Sequence, residues 1–490
     1  MAEEVWMLQT KKADFKQIGA RFRIDPVTAR IIRNRGIEGE AAIDRYLNGT
    51  LDDLYDPMLL KDMERAVSIL CEAVDTGKKI RIVGDYDIDG VCSTYILLQA
   101  FERLGSDVDF EIPDRIKDGY GINESIIEQA HADGVEVILT CDNGISAFHQ
   151  VELAKKYGMT VVITDHHEVP LDGEKEKIPP ADAVIDPKQA DCPYPFPEIC
   201  GAVVAYKLVQ VLYARRGVPQ MEWLDLLEFA AIATVGDVMK LQDENRILVK
   251  YGLKKMAQTK NIGLRRLAEK NNLDLGAITA YHIGFVIGPC LNAGGRLKTA
   301  KEALALLRAQ SEEEAERLAE ELKELNDTRK DMTEQGTEAA KLQVESWYQK
   351  DKVLVVFLPE CHESLAGIIA GRLREYYQKP AIVLTRGEEA VKGSGRSIDE
   401  YHMFKKLTEV SDLLLKFGGH PLAAGLSLEE KNIDEFRRRL NENAGLTEED
   451  FKAKVWIDVP MPVGYVTERL VRELSCLEPF GQGNEKPLFA

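Results

Sequence analysis

The chain has 490 residues, 63 of them basic and 82 acidic, giving a formal charge of −19, with 45% hydrophobic and 30% charged side chains. At roughly 150 residues per domain it is too long for one compact core or a small disulfide scaffold, and its balance is that of a globular chain rather than a disordered or fibrous one. No stretch approaches the roughly 18–20 uninterrupted apolar residues of a membrane span, and the N-terminus carries neither an apolar signal core nor transit-peptide character, so the expected location is the cytoplasm, with no membrane partner.

The first 75 residues read as helical and polar, with a turn near LYDPMLL. From 79 to 187 short β-branched runs (KIRIVG, DVDFEIP, VEVILT, MTVVIT, ADAVID) alternate with helical stretches. That alternation predicts an α/β fold with a parallel sheet whose central strands are apolar on both faces. LDLLEFAAIATVGDVM (224–239) predicts an apolar helix, and further helices follow to 310. Ser311 with Glu314 forms a capping-box signature opening a charged run to 348, a helix of about 35 residues and roughly 50 Å that bridges two domains. VLVVFLP, SLAGIIAGRLREYY, PAIVLT and VKGSGRS then predict a smaller α/β domain, with glycines gathered in GSGR (393–396) and FGGHPLAAG (417–425). The expected division is 1–310, a connecting helix 311–348, a second domain 349–445, and 446–490 as the start of a further, apparently truncated element. The eight cysteines lack any C-x-x-C pair and read as reduced core or near-core residues.

Acids and histidines recur just past predicted strand ends. IRIVG runs into Asp85, Asp87 and Asp89, VILT into Asp142, and VVIT into Asp165, His166 and His167. In open α/β sheets the ligand crevice lies at the carboxyl ends of the strands, so these groups converge there. Clustered carboxylates repel one another unless cations sit between them, and hard divalent ions with oxygen and imidazole ligands relieve this. DYDIDG alone is also compatible with a turn or calcium loop, DHH alone with a helix N-cap, and Asp237 in TVGDVM with either a ligand or an ion-pair member. Each arginine taken alone is compatible with a surface ion pair. His131, His149 and His282 read as structural or exposed.

VGDYDIDGVCS, TCDNGIS, TDHH and ATVGDVM resemble, in order, the four phosphoesterase motifs of the DHH superfamily, and GSGRS and FGGHPLAAG resemble its associated DHHA1 domain. With GPCLNAGGRL (288–297) the resemblance is closest to the RecJ family of bacterial single-strand-specific exonucleases and covers about residues 50–490. It implies a DHH domain joined by a long helix to a smaller DHHA1 domain, with an oligonucleotide-binding fold beginning near 451. Asp85 and Asp87 would be ligands of one metal, Asp89, His166 and Asp237 of the other, and Asp142 would bridge them. His167 would stand beside the scissile phosphate, and Asp165 would fix the loop or a histidine tautomer. The implied cofactors are two divalent ions, Mn2+ or Mg2+, activating water for in-line attack at phosphorus. Arg115, Arg296, Ser394 and Arg396 would hold phosphates, with Arg115, Ser394 and Arg396 gripping a 5′ terminus. His420 is compatible with a contact to substrate backbone or with a structural role, as are His362 and His402. The implied activity is 5′ to 3′ degradation of single-stranded DNA to mononucleotides in recombination and repair, beside single-strand-binding protein and a helicase. The rivals are a DHH phosphodiesterase of short oligonucleotides or cyclic dinucleotides, and a non-catalytic single-strand-binding scaffold.

Overall fold

A computed structural model describes residues 4–490, which gather into two compact units: Thr10–Asn326 with Asp458–Ala490, and residues 4–9 with Asp327–Ile457. The larger unit is built on five parallel strands, β1 (Ile80–Val83), β2 (Val108–Glu111), β3 (Val137–Cys141), β4 (Thr160–Thr164) and β5 (Ala183–Ile185), in the order β2-β1-β3-β4-β5. The four strands from β1 onward in that order are almost wholly buried, while edge strand β2 is half-buried throughout. Successive side chains alternate between two cores, as the two-residue strand period requires. Ile80, Ile82, Val137, Leu139 and Cys141 meet α1 (Ile88–Arg103), α4 (Gly201–Arg216) and α5 (Leu227–Gly236) on one face. Val83, Ile138, Val161 and Ile163 meet α2 (Glu124–Ala132) and α3 (Phe148–Lys156) on the other. The sheet is therefore the expected α/β layer, and its strand ends present their loops on one edge.

Residues 458–490 pack with the N-terminal helices in a small core that includes Ile31, Ile32, Tyr46, Val459 and Leu477. Arg246, almost completely buried, donates to the carbonyls of Tyr46, Leu477 and Cys476 at 3.0, 2.9 and 2.8 Å and lies 3.9 Å over the Tyr46 ring. Its three carbonyl partners belong to chain segments that meet only in the folded unit.

After α6 (Gly288–Leu297), the chain leaves the larger unit within α7 (Glu312–Gln343), which continues through a π-turn at Val344–Tyr348. Ser311 Oγ accepts from the Glu314 N–H at 3.2 Å, as the capping signature anticipates. The smaller unit holds β6 (Leu354–Phe357), α8 (Glu363–Tyr377), β7 (Ala381–Arg386), β8 (Val391–Arg396), β9 (Leu414–Gly419) and β10 (Ala423–Leu428). Its sheet runs β9-β10-β8-β7-β6, parallel only between β6 and β7.

Two expectations change. Glu4–Leu8, read as helical, is a strand paired in parallel with Ala453–Ile457; its partner lies at the far end of the chain, so no local pattern could announce it. The apolar helix read over 224–239 is broken: Gln220–Leu224 and Leu227–Gly236 are separate helices, and Val238 takes φ +58°, outside the right-handed helical region. All eight cysteines are free thiols, five of them buried. No helix among the described residues is long and apolar enough to cross a membrane.

Candidate metal centre

The turn after β1 is shaped by its glycines. Asp87 caps α1, its carboxylate accepting from the N–H groups of Asp89 and Gly90 at 2.9 and 3.1 Å, a favourable place for an anion at a helix start. A Cβ on Gly90 would lie 2.4 Å from the Asp85 carbonyl oxygen, so only glycine lets the turn fold back on the helix. Asp89, one residue into α1, accepts from Gly201 N–H and Ala202 N–H at 2.7 and 2.8 Å, so its carboxylate also sits at the N-terminus of α4. Asp142 follows β3 in the left-handed region at φ +61°, which aspartate tolerates better than most residues. Its N–H donates to the Thr164 carbonyl at 3.0 Å. Asp237 ends α5, where the helix dipole disfavours a carboxylate; local structure does not explain an acid there.

These groups meet. Asp85, Asp87 and Asp142 offer oxygens within 4.8 Å of one another, and so do the ligand atoms of Asp89, His166 and Asp237, and of Asp142, His166 and His167. His166 Nε2 lies 3.1 Å from Asp142, 3.5 Å from Asp89 and 3.8 Å from Asp237. Burial, reinforced by the neighbouring acids, pushes Asp85 and Asp237 up to about 8 and raises Asp87 and Asp142 above the usual carboxylate range. The chief like-charge neighbour is Asp87 for Asp85, and Asp89 for Asp87, Asp142 and Asp237. His166 Nδ1 is buried without a hydrogen-bond partner, and Asp142 Oδ1, although 3.1 Å from His166 Nε2, accepts no well-aligned hydrogen bond. Crowded carboxylates with an orphaned oxygen fit divalent cations held by oxygen and imidazole.

His167 stands beside this cluster. Asp165 Oδ1 accepts from the N–H groups of His166 and His167 at 2.8 and 3.2 Å and lies 2.7 Å from His167 Nδ1, while its Oδ2 accepts from Ile145 N–H at 2.8 Å. Burial opposes a charge on His167, but the Asp165 carboxylate outweighs it and lifts the imidazole to about 9. Tyr120 adds a member the sequence did not single out: its hydroxyl donates to the Asp142 carbonyl at 2.9 Å and lies 3.0 Å from His167 Nδ1. It sits on the loop between β2 and α2, where no periodicity marks it. Asp186, immediately after β5, is a further acid past a strand end. It is fully buried, one oxygen has no partner, and burial with the nearby Asp165 raises it to about 7.

Of the candidate phosphate holders, Arg115 and Arg296 line one small cavity with Tyr86 and Lys298, the Arg115 guanidinium 4.7 Å over the Tyr86 ring. In the smaller unit Arg396 donates to Ser394 Oγ at 3.2 Å, and a Cβ on Gly367 would come within 2.9 Å of both side chains. His420 is exposed at the β9–β10 turn, its N–H donating to the Ala423 carbonyl. His362 accompanies Ser364 at the start of α8, and the His402 ring accepts from Lys405 N–H. His131 stacks on Tyr157, His282 caps its helix and His149 is exposed beside Glu152.

Residues 79–234 match the DHH family, N-terminal domain, residues 350–445 the DHHA1 domain, and residues 457–490 the RecJ OB domain. The single-stranded-DNA-specific exonuclease RecJ of Bacillus subtilis is 37% identical over 487 residues, 98% of this chain and 61% of that protein, so the chain spans about three fifths of that relative's length. The Haemophilus influenzae protein of the same name is 34% identical over 493 residues, 96% of this chain and 84% of that one. The crystal structure of Thermus thermophilus RecJ in complex with Mn2+ superposes with a TM-score of 0.85 at 30% identity, covering 99% of this chain and 69% of that one.

Proposed function

The chain belongs to the RecJ family of DHH phosphoesterases, and from that membership we propose that it degrades single-stranded DNA from the 5′ end to mononucleotides, in recombination and repair. One observation carries the proposal: Asp142 shares one cluster with Asp85 and Asp87 and another with His166, which itself belongs to a third with Asp89 and Asp237. On this reading Asp85 and Asp87 hold one cation, Asp89, His166 and Asp237 the other, and Asp142 both. Bound Mn2+ or Mg2+ supplies activation of water and charge stabilisation for in-line displacement at phosphorus.

The remaining roles belong to side chains. His167, oriented by Asp165, donates to an oxygen of the scissile phosphate, and Tyr120 keeps the ring and the Asp142 backbone in register. Arg115 and Arg296 offer planar forks to backbone phosphates, Ser394 and Arg396 grip the terminal 5′ phosphate, and His420 touches the strand's backbone. Such an enzyme works in the cytoplasm, where single-strand-binding protein and a helicase would present its substrate.

The test is a single strand labelled at either end, incubated with Mn2+, with Mg2+ and with chelator. Mononucleotides released from the 5′ end, lost on chelation and reduced to background in Asp142→Ala, are expected. Near-normal turnover of Asp142→Ala with added metal overturns the reading. Arg396→Ala is expected to harm 5′-phosphorylated substrate more than 5′-hydroxyl substrate; equal losses argue against the phosphate grip.

A further inference from the structure

Beside the acidic cluster lies a cavity of about 830 Å³ with no part in the roles above. Its wall includes Val235 and Gly236 and resumes at Val238 and Met239. Asp237, between them, turns its carboxylate toward His166 instead. The backbone of that one residue thus stands between the cavity and the metal cluster. The cavity wall also carries Tyr281 and Phe285, stacked with ring centroids 4.8 Å apart and 26° between planes, yet 61% and 67% exposed. Contiguous exposed apolar surface of this kind marks interaction sites.

The local backbone explains the display. Ile283–Ile287 is a π-turn leading into α6, whose second residue is Pro289. Proline has no N–H to close the preceding helical turn, and the wider turn directs Ile283 and Ile287 into the core while Phe285 faces out. Such turns recur at functional sites. Lys250, Lys254 and Lys486 line the cavity against Glu478 and Glu485, a positive excess in a chain of net charge −19.

We propose that this cavity receives the bases of a single strand beyond the linkage held at the metals, with Tyr281 and Phe285 as their stacking platform. The proposal rests on the nuclease reading and deepens it. Stacking on aromatic faces is tolerant of sequence because every base has a π-face, and lysines near the backbone complete the usual single-strand design. The stacked rings beside Lys250, Lys254 and Lys486 favour a strand, which offers both base faces and phosphates, over a purely apolar partner.

The test compares the wild type with Tyr281→Leu/Phe285→Leu, which keeps apolar bulk and removes the rings at exposed positions. With Mn2+, kcat/KM on a dodecamer is expected to fall roughly tenfold or more, through KM, while turnover of a dinucleotide, too short to reach the cavity, is unchanged. In phosphorothioate strands carrying 2-aminopurine near the 5′ end, quenching seen with the wild type is expected to vanish in the variant. Unchanged quenching and dodecamer kinetics overturn the proposal, and so does an equal loss on both lengths, which would put the rings at the metals. Quenching in the wild type without hydrolysis of either substrate would uphold the stack and sink the nuclease reading, so the two fail separately.

Discussion

Gly201→Ala is a sensitive probe of the metal centre, although the residue contributes no side chain to it. A Cβ there would sit 2.7 Å from Asp142 Cβ and 2.9 Å from its Cα and Oδ1, where ordinary contacts begin near 3.4 Å. One of the two segments must therefore yield by roughly 0.7 Å. If Asp142 moves, it strains a backbone tied through its N–H to Thr164 and through its carbonyl to Tyr120. If α4 moves instead, it carries away the Gly201 and Ala202 amides that hold Asp89. Either way a carboxylate is displaced several times further than the ~0.2 Å that ligand distances tolerate. Mn2+ affinity measured by titration calorimetry is expected to drop by ~10–100-fold, with turnover falling alongside it. Overpacking costs about 1–3 kcal/mol, so the titration belongs well below the melting transition. Gly263→Ala is the control: its Cβ would lie 2.0 Å from the Leu306 carbonyl oxygen, with no site carboxylate among its nearest neighbours. It should lose stability and keep its metal affinity. A folded Gly201→Ala protein that binds Mn2+ as the wild type does would refute the reasoning.

Three further outcomes are expected. Tyr120→Phe keeps the ring and loses the hydrogen bond to Asp142, so turnover should fall while the protein stays folded; wild-type turnover would show the hydroxyl to be idle. Glu228, buried with one oxygen on Thr259, is raised by burial to about 7 from 4.5. Between those values the folded protein keeps a proton that the unfolded chain has released, so this group's contribution to stability falls as pH rises through that window. Glu228→Gln should accordingly be more stable than the wild type at pH 8, by up to about 3 kcal/mol, and lose that advantage near pH 4; a gain independent of pH, or none, would count against a neutral buried acid. Arg246→Met removes the donor to the carbonyls of Tyr46 and Cys476, at about 1–3 kcal/mol each before relaxation, while the Leu477 carbonyl keeps its bond from Asn484 Nδ2 at 2.8 Å. It should speed limited proteolysis within residues 458–490 before the sheet core is cut, and an unaltered cleavage pattern would show that Arg246 does not hold that segment.

The carboxylates were legible because a parallel sheet gathers its strand ends on one edge, so Asp85, Asp142 and His166 could be grouped from strand positions alone. What could not be read depends on partners without a side-chain signature. The amides that seat Asp89 come from Gly201 and Ala202, more than a hundred residues away. Tyr120 is one tyrosine among 16, distinguished only by where its loop comes to rest. Asp186 is within reach of the same logic, since it ends the ADAVID run, but it stands there as a lone acid rather than in a cluster of acids and histidines. Arg115 and Arg296 were each plausible alone, but their meeting around Tyr86 is tertiary.

The small core joining residues 458–490 to the N-terminal helices also sets a timetable for synthesis. The hydroxyl of Tyr46 donates to Asn484 across 438 residues of chain. At roughly 5–20 residues per second a ribosome needs about 20–90 s to bridge that distance. For that interval the apolar faces of the first helices await a counterpart still being translated.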